Sequence, residues 1–432
     1  MLIRGKLFEG ILIALAISLI PVTAIAAQKV TAGSNCKVMN QKVVYFNKTY
    51  TCVKSRKKLI WNKGVKVAPA PTPTKIAAPF VAKIPITLPV AQTGEITFSN
   101  AVAKFASIPQ VAWQRVQDVI AANSEVNIET ALYIGPTTGT TKELVLPVLQ
   151  KAYRLFQGFS QPSTYFGLIY NGKDEPWAEK QLEIILSAAN LPQYTPHFLN
   201  IMRGGCDLTN ASEPSCSSGN SLGLYPTTGG GSLYGVQEPY WSGNGRPGAD
   251  SQVTHEYTHN VQFAQWTGAQ LGAGQQNGTD AAHSKMPCWF QEGQANAIGT
   301  ATWAPDLKTY TSGFRNGNIA RALNPNLPKP SLTTFTAASF EKFLYEQDPL
   351  TCYDPSSGDY QLGYSVGYAA VEALIAIGGP QSTMALLTKM ADGDSWSSAF
   401  QHVYGITWEQ GAAVLGQILA AEYAVLPFGS GG

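Results

Sequence analysis

The pentapeptide His255-Glu256-Tyr257-Thr258-His259 is the most informative stretch of this chain. It has the form His-Glu-x-x-His, in a sequence that contains only five histidines. On a helix, residues four positions apart lie on one face, so both imidazoles can reach one metal ion. Glu256 follows the first imidazole directly and can hold and deprotonate a water molecule bound to that ion. The pattern therefore predicts a helix that carries two ligands of a catalytic metal and a general base.

The third ligand of the metal must come from another part of the chain. Catalytic zinc usually takes three protein ligands and leaves one position for water. His283, Asp280 and Glu292 are the candidates downstream of the motif. Glu292 is favoured because it lies 33 residues after His259, on a segment that can form a helix packed against the first.

The segment around Glu292 reads Cys288-Trp-Phe-Gln-Glu-Gly-Gln-Ala-Asn296, which contains the string Trp-Phe-x-Glu-Gly-x-Ala. Together with His-Glu-Tyr-Thr-His, this string resembles the gluzincin metallopeptidases, which include thermolysin, leukotriene-hydrolase-type aminopeptidases and bacterial collagenases. The resemblance covers about residues 250–425. It implies an α+β, thermolysin-like catalytic domain of two lobes, the first mixed α/β and the second helical. It also implies Zn²⁺ held by His255, His259 and Glu292, with Glu256 as the general base.

Asn296 departs from this family pattern. Four residues after the glutamate ligand, related proteins often carry an acidic residue that supports a zinc-bound histidine. The amide oxygen of Asn296 can accept the histidine N–H but carries no charge. We therefore expect weakened support for the imidazole and a reduced affinity for zinc.

A tyrosine is the expected donor to the oxyanion that forms during peptide hydrolysis. The string Tyr360-Gln-Leu-Gly363 resembles the Tyr-x-x-Gly of the aminopeptidase branch, in which the tyrosine has this role. Tyr364, one helical turn later, is the second candidate, and an aromatic core stripe is the alternative. The Gly-x-Met-Glu-Asn signature of the aminopeptidases is absent from the sequence, which favours an endopeptidase.

The N-terminal 27 residues are typical of a secretory signal peptide. Arg4 and Lys6 precede an apolar run at 11–20, and Ala24-Ile-Ala26 offers a cleavage site. An uncleaved membrane anchor is the alternative. The six cysteines fit an oxidising compartment, and short loops favour the pairs Cys36–Cys52 and Cys206–Cys216, which leaves Cys288 with Cys352.

Charge is unevenly distributed along the chain. Residues 28–66 contain nine Lys and one Arg but no acidic residue, whereas residues 67–432 contain 18 basic and 27 acidic residues. We expect the segment 28–66 to form a small disulfide-stapled β module that attracts anionic cell-wall polymer or a membrane surface. A merely solvated spacer is the alternative, and no nucleic-acid partner is expected. Residues 67–92, with six prolines, are predicted to form an extended linker.

The catalytic domain is predicted to span 93–427, with a lobe boundary near 265. Apolar spacing predicts helices at 110–122, 142–156, 175–189 and from about 250, then at 286–303, 361–377, 381–390, 395–403 and 408–424. Strands are expected at 130–134 and 165–170. The stretch 204–248 is rich in Gly, Ser and Asn, which predicts loops with one strand near 232–236.

These observations predict a secreted, zinc-dependent metallopeptidase that hydrolyses peptide bonds by a zinc-activated water. Two alternatives stay open. One is a non-catalytic, cell-surface binding protein with a vestigial zinc site. The other is a zinc hydrolase that acts on cell-wall or ester substrates. Whether the protein is the peptidase or this hydrolase, it is expected outside the cell, where it could associate with the cell wall.

Overall fold

The computed structural model describes residues 31–45, 48–66, 84–189, 191–209, 214–223, 229–236, 249–266, 278–311, 314–346 and 357–426. The predicted signal peptide lies outside these residues. Two compact units divide the chain, Met1–Ala77 and Ala78–Gly432. Helices and small sheets together confirm a mixed α+β protein.

The smaller unit is a four-stranded antiparallel sheet in which β2 is paired on both edges. Its strands are β1 (Lys42–Tyr45), β2 (Lys48–Ser55), β3 (Lys58–Trp61) and β4 (Val65–Lys66). Its buried core consists of Tyr50, Cys52 and Trp61. So small a core needs a covalent link, and the predicted Cys36–Cys52 disulfide supplies it.

The larger unit begins with a four-stranded sheet of order β5-β6-β10-β9. Its strands are β5 (Glu129–Ile134), β6 (Thr164–Tyr170), β9 (Ser218–Gly223) and β10 (Gly229–Gly235); the short β7 (Cys206–Asp207) and β8 (Ser215–Cys216) form a separate pair. β5, β6 and β10 are parallel, whereas β9 runs antiparallel to β10. The predicted Cys206–Cys216 disulfide joins β7 to β8.

Helices cover both faces of the larger sheet. The elements of this region are α1 (Ile108–Ala122), α2 (Lys142–Leu155), α3 (Glu175–Ala188), α4 (Thr195–Gly204) and α5 (Ala249–Ala264). Tyr165 and Tyr234 point to the face packed by α2 and α5. Phe166 and Leu233 point to the opposite face, against the side chains of α3 and α4. The expected helices 110–122, 142–156 and 175–189 are therefore confirmed within two residues.

The strand expected near 232–236 is confirmed as part of β10, which begins at Gly229, but the sequence did not predict β9. Residues 210–213, 224–228 and 237–248 of the predicted loop region lie outside the described residues. The glycines of β10 lie in a buried strand whose neighbours fill the space of a side chain. A Cβ at Gly230 would lie 2.4 Å from Oδ1 of Asn260, and one at Gly231 would lie 2.1 Å from the ring of Phe166. Glycine is required here by close packing rather than by turn geometry.

The described residues from 278 to 426 are mostly helical. Their elements are α6 (Gly278–Lys285), α7 (Cys288–Trp303), α8 (Leu307–Thr311), α9 (Phe314–Ala320), α10 (Ala337–Glu346), α11 (Gly358–Gly378), α12 (Pro380–Ala391), α13 (Trp396–Tyr404) and α14 (Trp408–Val425). One hydrophobic core extends from Ile96 to Leu426 and crosses the predicted lobe boundary near 265. The end of the predicted linker also packs on this core, through Ile84, Ile86 and Val90.

Three helices meet at glycines. A Cβ at Gly299 of α7 would lie 2.9 Å from the backbone nitrogen of His255 in α5. A Cβ at Gly293 would lie 2.3 Å from the backbone of Gly367 in α11, and one at Gly367 would lie 2.0 Å from the carbonyl oxygen of Trp289. These close approaches bring α5, α7 and α11 together around one point.

Two further features of the larger unit complete the fold. Cys288 is disulfide-bonded, but Cys352 lies outside the described residues, so the Cys288–Cys352 pairing stays a prediction. In the described part of the chain no single helix is long and apolar enough to cross a membrane. Together, α11 and α12 have the length and composition of a membrane span, but the pair is bent by 104° and most of its residues are buried in the core.

Candidate metal centre

α5 carries both histidines of the motif and docks firmly on the sheet. Its Asn260 accepts a hydrogen bond from Gly231 N and donates one to Gly231 O, at 2.9 and 3.0 Å. His255 and His259 lie one turn apart, and their Nε2 atoms are 3.1 Å from each other. The ligand atoms of His255, Glu256 and His259 all lie within 4.8 Å of one another, so this buried group could hold a metal ion.

α7 brings Glu292 to the same point. Its Oε2 lies 3.3 Å from Nε2 of His259 and 3.6 Å from Nε2 of His255. Tetrahedral zinc with bonds of about 2.1 Å separates neighbouring ligand atoms by about 3.4 Å. The three separations, 3.1, 3.3 and 3.6 Å, are close to that value. Two imidazole nitrogens and one carboxylate oxygen also form a donor set typical of catalytic zinc.

Oε2 of Glu292 is a buried carboxylate oxygen to which no hydrogen-bond donor is assigned. Such an atom is costly to bury unless a cation or donor compensates it. The oxygen instead faces the two imidazole nitrogens. A cation shared among the three side chains would compensate this oxygen, as would a proton on His259.

The protonation states of the cluster follow from burial and mutual charge. Burial lowers the pKa of His255 to about 3, with His259 adding to the effect. Burial by itself would lower the pKa of His259, but the carboxylate of Glu292 outweighs it and raises that pKa to about 9. Burial would raise the pKa of Glu292, but His259 outweighs it and holds the pKa at about 2. Without a cation, one proton on His259 thus balances the charge of Glu292.

Glu256 lies beside this cluster and is held separately. Its Oε2 accepts a hydrogen bond from Ser221 Oγ at 2.6 Å, and its Oε1 lies 3.9 Å from Nε2 of His255. A Cβ at Gly219 would lie only 2.2 Å from Oε1, so β9 makes room for the carboxylate. Burial raises the pKa of Glu256 to about 7. A carboxylate with such a pKa can both take up and release a proton near neutral pH.

A chain of buried amides orients His259. Its Nδ1 lies 2.7 Å from Oε1 of Gln262, whose Nε2 donates to Oε1 of Gln294 at 2.8 Å. Gln294 in turn donates to Oγ1 of Thr383 at 2.9 Å. Such partners fix the tautomer and ring orientation of a metal ligand. Sequence reasoning missed this chain because glutamines carry no recognisable spacing signal.

Asn296 supports the other histidine. A hydrogen bond with Asn296 raises the pKa of His255, against the larger effect of burial. Nδ2 of Asn296 also donates to the carbonyl oxygen of Tyr364 at 3.2 Å. Asn296 therefore connects the first imidazole to α11, as expected of a residue around the metal ligands.

Tyr360 and Tyr364 both line the cleft in front of the cluster. The ring of Tyr364 is parallel to that of His255, with centroids 6.1 Å apart. The two phenolic oxygens are 3.2 Å from each other. Both tyrosines therefore border the cleft beside the two histidines. Tyr368, on the next turn of α11, is buried and does not line this cleft.

The rival third ligands are placed differently. His283 lines the cleft, and its ring packs edge-on against Phe263 with centroids 5.4 Å apart. Among the described residues, His283 is not part of the cluster that could hold a metal ion. The side chain of Asp280 lies outside what the structure describes.

The cleft has a volume of about 380 Å³ and two chemically distinct walls. The metal cluster, Glu256 and the tyrosines form one wall, and four consecutive residues of β9, from Gly219 to Leu222, lie beside them. The other wall is mostly apolar and comes from residues 191–194 and from α4: Leu191, Tyr194, Phe198 and Ile201. Sequence reasoning missed α4, so this wall was not expected.

Comparisons with known proteins found no match for this chain, whether among protein-family models, curated proteins or solved structures.

Proposed function

We propose that this protein is a secreted, zinc-dependent metallopeptidase that hydrolyses peptide bonds, with Glu256 as general base. The observation that carries the proposal is the meeting of His255, His259 and Glu292 within 3.6 Å, next to a carboxylate held by Ser221. A purely structural metal site has no use for a second, separately held carboxylate. The disulfides Cys36–Cys52 and Cys206–Cys216 support a location outside the cytoplasm.

Membership of the gluzincin group is part of this proposal. A mixed sheet with an antiparallel edge strand precedes α5, and a set of helices follows α7. This order supports the thermolysin-like, two-lobed catalytic domain that the motifs imply. The metal ligands would be His255 and His259 from α5 and Glu292 from α7.

Each residue of the cleft has a role in the proposed reaction. Zinc, when bound, supplies a Lewis acid that lowers the pKa of water and polarises a carbonyl group. Glu256 accepts the proton of the attacking water and passes it to the leaving amine. Tyr360 or Tyr364 donates a hydrogen bond from its hydroxyl group to the oxyanion. Gln262 and Asn296 keep the two imidazoles oriented.

The substrate is proposed to be an extended peptide. Four residues of β9 line the cleft, and in the described part of the chain β9 is paired only with β10. A peptide can therefore add to the sheet next to Glu256 through backbone hydrogen bonds. The apolar wall formed by Tyr194, Phe198 and Ile201 favours a bulky apolar side chain near the scissile bond.

The Glu256→Gln variant tests the proposal. The amide keeps the shape of the side chain but cannot accept a proton, so peptidase activity should fall by about 10²–10⁴-fold. Zinc content, measured by mass spectrometry of the metal, should stay at the wild-type value. Glu346→Gln, at an exposed position of α10, is the matched control and should retain full activity.

Activity is measured on a mixed peptide library and on casein, with and without a chelator. A wild type that binds zinc yet cleaves no better than Glu256→Gln would contradict catalysis and favour the non-catalytic surface protein. If amino groups or acid are released only from purified cell wall or from esters, the substrate is cell-wall material or an ester and not a peptide. Activity that survives removal of all metal would contradict the zinc mechanism.

A further inference from the structure

In the smaller unit, the loop 37–40 lies at the same end of the sheet as the hairpin 54–58, which joins β2 to β3. N of Cys36 donates to the carbonyl oxygen of Leu59 at 3.1 Å, and N of Asn40 donates to the carbonyl oxygen of Cys52 at 2.8 Å. Residues 37–39 therefore cross the half of the sheet where β2 turns into β3. We call the loop 37–40 and the hairpin 54–58 the basic end of this unit.

Five cations lie at the basic end, and all are exposed: Lys37, Lys54, Arg56, Lys57 and Lys58. The sequence contains no acidic residue from 28 to 66, so no carboxylate within that stretch can neutralise them. Like charges held close together on one hairpin and the adjoining loop produce a strong positive potential. The basic end therefore attracts an extended anionic surface or polymer.

Two exposed apolar side chains indicate which of the two partners, an anionic surface or an anionic polymer, the basic end binds. Val38 and Met39, at the tip of the loop, are 60% and 55% exposed. An exposed apolar pair next to lysines is unfavourable in water but favourable at a lipid interface, where apolar groups enter the acyl region. A hydrated polymer offers no such region, so the pair favours a membrane.

The backbone conformation of the hairpin also supports a functional role for its basic side chains. Arg56 has a φ of +56°, in the left-handed region that glycine and asparagine adopt most readily. A long cationic side chain at this position is retained despite a less favourable backbone conformation. Such an outlier is a reason to look for a function of the side chain.

We propose that the basic end binds the surface of an anionic phospholipid membrane. The five cations contact the lipid phosphates, and Val38 and Met39 insert between the headgroups. This attachment is independent of the proposed peptidase activity, since it uses only residues of the smaller unit. It would hold the protein at a membrane surface after export.

The test is sedimentation with vesicles, using the chain from Gln28 to Gly432 so that the apolar N-terminal run cannot itself bind lipid. Vesicles of phosphatidylglycerol and phosphatidylcholine should bind the protein, and binding should weaken steeply as salt rises. The double variant Lys57→Gln with Lys58→Gln should lower the affinity on the order of 30-fold.

The matched control removes the same charge from the opposite end. Lys48→Gln with Lys63→Gln changes two exposed lysines near the start of β2 and the end of β3. β2 spans about 23 Å, which is more than two Debye lengths at physiological salt. This control should lower the affinity only a few-fold. Equal losses in the two double variants would overturn the proposal in favour of diffuse charge.

A second pair of variants separates lipid from polymer. Val38→Ser with Met39→Ser leaves the charge unchanged and should weaken vesicle binding about tenfold, while binding to poly(glycerol phosphate) stays the same. Vesicle binding that this variant does not alter, together with equal binding to the soluble polymer, would assign the site to a wall polymer instead. Equally tight binding to pure phosphatidylcholine would also overturn the proposal. Amide hydrogen exchange within 48–61 checks that each variant keeps the smaller sheet folded.

Discussion

The residues that meet in the cleft and the residues that hold them there differ in kind. α5 and α7 contribute polar side chains of rare types, such as His255 and Glu292. The elements around them contribute mostly small residues, such as Gly219 of β9 and Gly367 of α11. The first set determines which reaction is possible, whereas the second determines the distances between the reacting atoms. Substitutions in the second set therefore test whether geometry alone controls this site.

The largest effect is expected from Gly367→Ala. A Cβ at this position would lie 2.0 Å from the carbonyl oxygen of Trp289, and backbone atoms cannot move aside cheaply. We expect the free energy of unfolding to fall by about 3 kcal/mol or more. Thermal unfolding measured by calorimetry checks this, with Gly317→Ala in α9 as the control, because a Cβ there meets no atom within 4 Å. An unchanged melting temperature would show that α7 and α11 can separate without loss.

Gly219→Ala should affect activity rather than stability. The added Cβ would lie 2.2 Å from Oε1 of Glu256, which is the end of a flexible side chain and can shift. Displacement of the base by about 1 Å is expected to lower kcat/KM about 100-fold, with zinc content and melting temperature near the wild-type values. Peptide hydrolysis assays measure the loss, and Gly204→Ala, with open space around it, is the control. Full activity in Gly219→Ala would contradict the assigned position of the base.

The smallest effect is expected from Gln262→Ala, which tests a polar support instead of a glycine. The substitution removes the hydrogen bond to Nδ1 of His259 and the link to Gln294. Loss of such a partner typically weakens metal binding 10–100-fold, and we expect about tenfold here. Competition with a chromophoric chelator measures the zinc affinity. Thr388→Val, a buried substitution that removes a hydrogen bond to Gln265 instead, is the control and should leave the affinity unchanged.

These variants separate what could be predicted from what could not. The motif placed His255 and His259 on one helix, and Glu292 was expected on a second helix next to it. The first expectation depends on spacing along a helix, which a sequence displays directly. Glu292 was favoured by its separation from His259 and by the resemblance of its segment to the gluzincins. Ser221 was missed because its partner, Glu256, lies 35 residues away in a different element.

The glycine-rich stretch before the motif was only partly predicted. A strand was expected near 232–236, while 228–245 was left open as an edge strand or a surface loop, since glycine is common in turns and weakens isolated strands. The strand that contains Gly230 and Gly231 is stable because Asn260 and Phe166 occupy the space that side chains would fill. The sequence of 218–235 cannot predict these neighbours, because Asn260 belongs to α5 and Phe166 belongs to β6.

Local features of the sequence were enough to predict the candidate ligand types, the helix that carries two of them, the disulfides Cys36–Cys52 and Cys206–Cys216, and the concentration of positive charge in residues 28–66. Helical periodicity, short loops and composition are local properties, so they can be read without a fold. Only the tertiary structure decided that Glu292 faces both imidazoles, that β9 borders the cleft, and that Gln262 orients His259. Those contacts join residues far apart in the chain, and they depend on how closely helices and strands pack.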